Sequence, residues 1–206
     1  MRKYQIIILG AVSVTIIAIF YYSVTQREDP QVFIKQVQDA RKKTDIFMKT
    51  SQESPFYPIG QQDFSGLSYY PPDINFRVRA VLDPLPGREL LTLQTSDGEE
   101  TNYIKYAYAT FRLEGKECNL LILRLLPITN QNQFFLPFTD ETSAVETYGA
   151  GRYLDLKFPP GSQSVTLDFN HAYNPFCAYN EKFSCPLPPS QNHLTIPIRA
   201  GEKSPG

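Results

Sequence analysis

The chain has 206 residues, of which 42% are hydrophobic and 13% aromatic, with 17 prolines, 13 tyrosines and no tryptophan. This apolar share is enough for a packed core and excludes a disordered chain, while the many Pro and Tyr residues favour a loop-rich β protein over a helical bundle. The formal net charge of −1 supplies no field that would attract nucleic acid, so no nucleic-acid partner is expected.

Residues 6–24 form a run without any charged side chain. As a helix this run would extend roughly 28 Å, close to the thickness of a bilayer's hydrocarbon core. Arg2 and Lys3 precede it, and positive charges favour the cytoplasmic side. We therefore predict a single-pass anchor in the cell membrane, with the N-terminus cytoplasmic and the rest outside. A cleaved signal peptide is the alternative, but Tyr21, Tyr22 and Val24 stand where small residues are needed.

Apolar residues then recur at spacings of four and three, which is the pattern of one helical face. Asp29-Pro30 is a typical helix start, and Pro55 disfavours helix before it. With residues 1–25 as the anchor, we predict a short amphipathic spacer helix within 26–54. Its apolar stripe, which should dock on the following domain, contains Phe33, Val37, Ala40, Thr44 and Phe47.

From residue 55 onward the pattern changes to short apolar runs separated by turn signals, which is typical of strands. The run 119–126 is apolar on both faces and should be central. We predict a mainly β extracytoplasmic domain over 55–203, an antiparallel sandwich or a partly closed barrel. The polar end, 201–206, should fray, with 204–206 as a tail. The candidate strands are 76–82, 90–94, 103–113, 119–126, 134–138, 153–158, 165–169 and 194–198.

The segment 138–154 is the first candidate for a site. It gathers acids and Arg152 around Gly149 and Gly151, and glycines permit the close approach of a ligand. The alternative interpretation is a structural turn in which Arg152 pairs with an acid such as Glu146 or Asp168.

The segment 168–192 is the second candidate, because it is too rich in proline for a helix and too apolar for a solvated tail. A long ordered loop of this kind is often functional. Asp168 or His171 could act as a general base, yet no nucleophile completes a catalytic set. The alternative is that Asp168 and Asn170 hold a tight loop through Asx-turn hydrogen bonds.

Two of the three cysteines, Cys177 and Cys185, lie in this second loop. Outside the cytoplasm a disulfide between them is favoured over reduced thiols. A metal site shared with His171 and His193 is disfavoured, because the cysteine spacing is too wide for a zinc knuckle. We predict no metal and no cofactor, and a buried free thiol at Cys118.

Long motifs carry a resemblance to a known family. They are FTDET at 138–142, ETYGAGRYL at 146–154, DFNHAYNPFCAY at 168–179, CPLPP at 185–189 and AGEK at 200–203. Together they resemble the uncharacterised bacterial domain-of-unknown-function family sixteen-eighty-four over roughly residues 38–203. The resemblance implies a secreted or membrane-anchored bacterial protein without an assigned activity. His171 and His193 fall outside the family's pattern. Its recurrent polar positions match Asp140, Glu146, Thr147, Tyr148, Arg152, Asp168, Asn170, Tyr173, Asn174 and Asn192.

The expected function is binding of a small molecule, an envelope polymer or a partner protein, at the surface where loop 140–152 meets loop 168–192. One alternative is a hydrolase with Asp168 or Glu146 as acid or base, so the sequence leaves open whether the protein is an enzyme. Another is an accessory subunit of an envelope complex. The residues expected to contact a ligand are Asp140, Glu146, Tyr148, Arg152, Asp168, Asn170, Tyr173, Asn174 and Asn192.

Overall fold

The computed structural model describes Thr15 and residues 29–205. The predicted membrane span, 6–24, lies outside the described residues except for Thr15. In the part of the chain that is described, no helix combines the length and the apolar character needed to cross a membrane. By its internal contacts the chain divides into a short unit, Met1–Lys35, and a second unit, Gln36–Gly206, which holds the sheet.

An α-helix spans Pro30–Thr50, inside the predicted spacer. It begins where expected, because the Asp29 carboxylate accepts a hydrogen bond from the amide of Gln31 at 2.9 Å. Within the second unit, Val37 and Met48 are buried on its apolar face. The Arg41 guanidinium reinforces the docking by donating from Nη1 to the carbonyl of Tyr70 at 2.7 Å.

Eight strands form one curled sheet, a half-barrel: β1 Arg77–Pro84, β2 Leu90–Gln94, β3 Glu100–Leu113, β4 Lys116–Leu125, β5 Gln133–Asp140, β6 Arg152–Lys157, β7 Ser164–Asp168 and β8 His193–Leu194. The main path is antiparallel, in the order β6-β5-β4-β3-β1-β7, with β2 paired to β3 and β8 to β5 beside it. The partly closed architecture is therefore the one observed. β3 is long enough to pair with β2 through its first half and with β1 through its second, and a bulge between Lys105 and Ala107 separates the halves.

The central strand β4 is apolar on both faces, as predicted, because both faces of the sheet are covered. Leu120 and Ile122 point into the main core, on what we call the core face, and Leu121 and Leu123 belong to a smaller cluster on the opposite face. The core face collects alternating residues from six strands, in keeping with the two-residue period of β structure.

The C-terminal segment, which we define as residues 193–203, differs from the prediction. Only His193–Leu194 forms a strand, β8, parallel to β5. The predicted strand over 194–198 is wrong beyond Leu194, because buried side chains rather than a neighbouring strand take up the later backbone groups: the Ile198 amide donates to Asp140 Oδ1 at 3.0 Å. The predicted fraying is also wrong for 201–203, since Glu202 is 2% exposed.

Candidate functional site

The two polar loops singled out by the sequence do meet. Tyr153 and Tyr173 exchange backbone hydrogen bonds of 2.9 and 3.0 Å, and the Tyr148 hydroxyl lies 3.8 Å from Cys177 Sγ. Gly151 sits at the junction with φ of +95°, and a Cβ there would come within 2.6 Å of the Phe138 carbonyl oxygen. The junction is therefore tightly packed at this point.

Arg152 and Asp140 form a buried ion pair at the centre of this junction, with Nη2 to Oδ2 at 2.9 Å and both side chains 1% exposed. The partner of Arg152 is thus Asp140, not Glu146 or Asp168. The cause is strand register: Arg152 lies opposite Phe138, so Asp140 is its diagonal neighbour on the same face.

Most other hydrogen bonds of this pair go to the C-terminal segment and to the adjacent turn. Arg152 donates to the carbonyls of Ile198, Ala200 and Glu202. Asp140 Oδ1 accepts from the Thr142 amide at 2.8 Å and from its hydroxyl at 2.6 Å. These contacts stabilise the buried charge pair, although the buried Arg152 Nε has no hydrogen-bond partner.

Three asparagines on the candidate list are also buried, each at 1% exposure or less. Asn192 Oδ1 accepts from the Leu121 amide at 2.7 Å, and its Nδ2 donates to two backbone carbonyls. Asn170 exchanges two hydrogen bonds of 2.8 Å with the backbone of Asp73. Asn174 Nδ2 donates to the Lys203 carbonyl at 2.8 Å. Each asparagine thus ties together segments that are distant in sequence.

Glu146 remains partly accessible on the candidate surface. It accepts hydrogen bonds from Arg199 Nη2 at 2.9 Å and from the Tyr70 hydroxyl at 3.0 Å, and these hold the pKa of its carboxyl below the usual value.

Asp168 caps a 3-10 turn, accepting from the Asn170 amide at 3.0 Å, as the Asx-turn interpretation predicts. Its other oxygen lies 3.8 Å from Arg77 Nε and 3.7 Å from His171 Nε2.

An open cavity of about 370 Å³ lies beside this junction, and we call it the aromatic cavity. Its floor is the opposite face of the sheet, where Tyr103 pairs with Leu125 and Phe135 pairs with Asp155. The segments 125–130 and 173–186 wall it in. Its seven aromatic side chains are Tyr103, Phe134, Phe135, Tyr153, Tyr173, Phe176 and Phe183.

Six of the seven rings contact another lining ring, four of them in one chain and two in a separate pair. Tyr103 stacks on Phe135 with ring centroids 5.5 Å apart, and Phe135 meets Tyr153 edge to face at 4.7 Å. Tyr153 in turn meets Tyr173 edge to face at 5.7 Å, and Phe176 meets Phe183 at 5.3 Å. Offset and edge-to-face contacts of this kind fix ring positions, so the cavity is preformed.

Asp155 is the acidic side chain in the described lining of the aromatic cavity. Partial burial by the surrounding walls raises the pKa of its carboxyl above the usual value, although the residue stays accessible to solvent. The Tyr173 hydroxyl and the charge of Lys157 oppose this shift. Asp155 is not among the site residues predicted from the sequence. Its signal was a lone acid in the apolar run 153–158.

A second cavity of about 230 Å³ lies between the helix and residues 169–176, with Arg41 and Glu202 in its lining. Tyr173 and Phe176 line both cavities. Burial raises the pKa of Glu202 to about 7, although the Asn174 amide and the Tyr179 hydroxyl donate to its carboxylate at 2.8 and 2.7 Å.

The cysteines are free thiols in this structure, and Cys118 is buried, as predicted. The Cys177 amide donates to Cys185 Sγ at 3.2 Å, so the two loop cysteines are neighbours, and the disulfide between them stays a prediction. Within the described ranges, no group of three His, Cys, Asp or Glu side chains is placed to hold a metal ion.

The sequence and the fold can be compared with known proteins. The family model described as "Protein of unknown function (DUF1684)" matches residues 62–203. The solution NMR structure of the uncharacterized protein from gene locus rrnAC0354 of Haloarcula marismortui is 38% identical, covers 82% of this chain and 92% of its own, and has a TM-score of 0.66. No curated protein matches. The chain therefore belongs to the DUF1684 family, which its motifs resemble.

Proposed function

We propose that this protein is a binding domain, anchored to the membrane and exposed outside the cytoplasm, that holds a small and largely apolar ligand in the aromatic cavity. The observation that supports this most is the cavity itself: about 370 Å³, preformed and lined by seven aromatic side chains. Ligand sites are typically concave, apolar and of about 300–1,000 Å³, with a few polar groups that fix orientation.

The nine candidate residues enter the proposal in different ways. Tyr173 contributes a wall of the cavity. The other eight act from outside it, and the five that are buried hold the loops and the C-terminal segment that surround it. These five are Asp140, Arg152, Asn170, Asn174 and Asn192.

The arrangement favours binding over hydrolysis. Neither Glu146 nor Asp168 belongs to the described lining of either cavity. A general acid works best with a pKa near the operating pH, whereas the hydrogen bonds to Arg199 and Tyr70 shift the pKa of Glu146 in the opposite direction.

Anchoring is supported by the uncharged run 6–24 and by Arg2 and Lys3 before it. An alkaline phosphatase fused to the C-terminus tests the orientation, because that enzyme is active only outside the cytoplasm. We expect an active fusion at the membrane. An expressed but inactive fusion would contradict the proposed topology.

Ligand binding can be tested by calorimetry with indole as a flat apolar probe, on the full chain in phosphatidylglycerol nanodiscs. We expect saturable binding that Leu125→Trp weakens, because the larger side chain would narrow the cavity mouth, where Leu125 is 51% exposed. The matched control is Leu90→Trp on β2, which is 58% exposed and outside the lining. No binding, or equal binding by both variants, would contradict the proposal.

A further inference from the structure

The described lining of the aromatic cavity contains one basic and one acidic side chain, and these two differ in their surroundings. Arg124 and Asp155 are the ionisable side chains of opposite charge in its described lining. The Arg124 guanidinium packs against rings of the main core: it lies 4.9 and 4.7 Å from the ring centroids of Tyr106 and Phe134. Its Nη2 donates to the Gln131 carbonyl at 3.0 Å, while its buried Nε has no hydrogen-bond partner.

Asp155, in contrast, shares the opposite face of the sheet with the aromatic rings. It pairs in register with Phe135, and strand alternation puts it on the same side of β6 as Tyr153. The hydroxyl of Tyr173 lies near enough to its carboxylate to favour the charged form. Within the described residues no salt bridge includes Asp155, although the charge of Lys157 acts on it. Strand alternation puts Arg124 on the core face with Ile122, so on the side of the cavity that carries these rings the charged side chain of the described lining is Asp155.

The aromatic walls, like this carboxylate, favour a positively charged ligand. The face of a phenyl or phenol ring carries negative potential and attracts a cation placed over it. Here four rings in contact, those of Tyr103, Phe135, Tyr153 and Tyr173, continue around the carboxylate side of the cavity. Rings with one carboxylate are the composition that recognises alkylammonium groups, whose charge is shielded by methyl or methylene groups.

We propose that the aromatic cavity is selective for a small organic ammonium ion, whose charge faces Asp155 while its alkyl groups contact the rings. This inference rests on the proposed function and specifies its ligand class. An anionic or neutral apolar ligand of the same shape leaves the Asp155 carboxylate uncompensated in the cavity, and this penalty provides the selectivity.

The test compares choline with 3,3-dimethylbutan-1-ol, a neutral molecule of nearly the same shape in which carbon replaces the ammonium nitrogen. Calorimetry on the full chain in phosphatidylglycerol nanodiscs avoids competing choline headgroups. We expect choline to bind at least about tenfold more tightly than the alcohol.

Asp155→Asn should reduce this ratio to near one, and Asp83→Asn, the same change at an exposed position on β1, should leave it unchanged. Because Asp155 is itself open to solvent, its variant should fold, which an amide NMR spectrum verifies. Equal or tighter binding of the alcohol overturns the ammonium inference and leaves the cavity as a ligand site. Absence of choline binding also overturns it, and the indole titration then decides the proposed function separately.

Discussion

Arg152 has the largest of the fully buried side chains. Its guanidinium is tolerated there because Asp140 balances the charge and three carbonyls of the C-terminal segment accept its protons. Arg152, which the sequence suggests as a ligand contact, thus has a structural role: it holds the C-terminal segment against the sheet.

Replacing Arg152 with methionine should lower the free energy of unfolding by about 3–5 kcal/mol, because the Asp140 carboxylate would remain buried without a counter-charge. Urea unfolding followed by circular dichroism measures the loss. Arg199→Met is the matched control: its ion pair with Glu146 is exposed to water, and its removal should matter much less. Losses of similar size would contradict the structural role given to Arg152.

Glu202 should make stability depend on pH. Burial raises the pKa of its carboxyl from the model-peptide value of 4.5 to about 7, so the folded state favours the protonated form. The stabilisation that the protonated Glu202 gives the folded state is fully present below about pH 4.5 and is lost as the pH rises through about 7. Between about pH 4 and pH 8, Glu202→Gln should therefore gain up to about 3 kcal/mol of unfolding free energy relative to the wild type.

The control for this prediction is Glu181→Gln, at an exposed position, which should follow the wild type at every pH. Urea titrations at both pH values provide the comparison. A constant difference between the Glu202 variant and the wild type would show that Glu202 ionises equally easily in the folded and unfolded states.

At the scale of elements, β4 and β5 pair directly only at Leu123 and Phe135. Further along, the side chain of Asn192 takes the place of the missing ladder: it binds both backbone groups of Leu121 and also the carbonyl of Pro137. An amide side chain can replace a peptide group in this way because it offers the same donor and acceptor.

Asn192→Ala should cost about 3 kcal/mol of unfolding free energy, because it leaves three buried backbone groups without partners. Amide hydrogen exchange should also accelerate at Leu121 more than at other β4 positions. Gln191→Ala, at the exposed neighbouring position, is the control for both measurements. Unchanged exchange at Leu121 would mean that the bridge does not protect this edge of β4.

The elements themselves could be predicted from the sequence. Every observed strand overlaps a predicted run, and the helix lies in its predicted interval, because alternation, spacings of four and three, and turn residues are local signals. The same local signal makes the predicted last strand longer than β8. Leu194, Ile196 and Ile198 alternate as in a strand and are all buried in the core, but only His193 and Leu194 pair with a neighbouring strand.

The contacts of the polar residues could be predicted only where they are local. The Asx turn of Asp168 is a contact between near neighbours, and it was expected. The hydrogen bonds of Asn170 to Asp73 join residues 97 positions apart, and no local pattern encodes them. The pairing of Arg152 with Asp140 required the strand register, which follows from the assembled sheet rather than from spacing.

At the scale of the molecule, one wall of the aromatic cavity was foreseen and the other was not. The aromatic loop 168–192 is predicted to be an ordered segment, and it supplies Tyr173, Phe176 and Phe183. The facing wall, with Phe135 and Asp155, belongs to strands that were interpreted only as core. A cavity between a loop and the outer side of a sheet exists only once the sheet has curled.

The central claim is that the buried polar residues maintain the fold while the aromatic cavity binds the ligand. The most direct test is an amide NMR spectrum of the full chain, assigned and titrated with indole. The account predicts shifts concentrated at Leu125, Phe135, Asp155 and Ser184, around the cavity. Shifts concentrated instead at Glu141, Glu146 and Arg199, or no shifts at all, would contradict it.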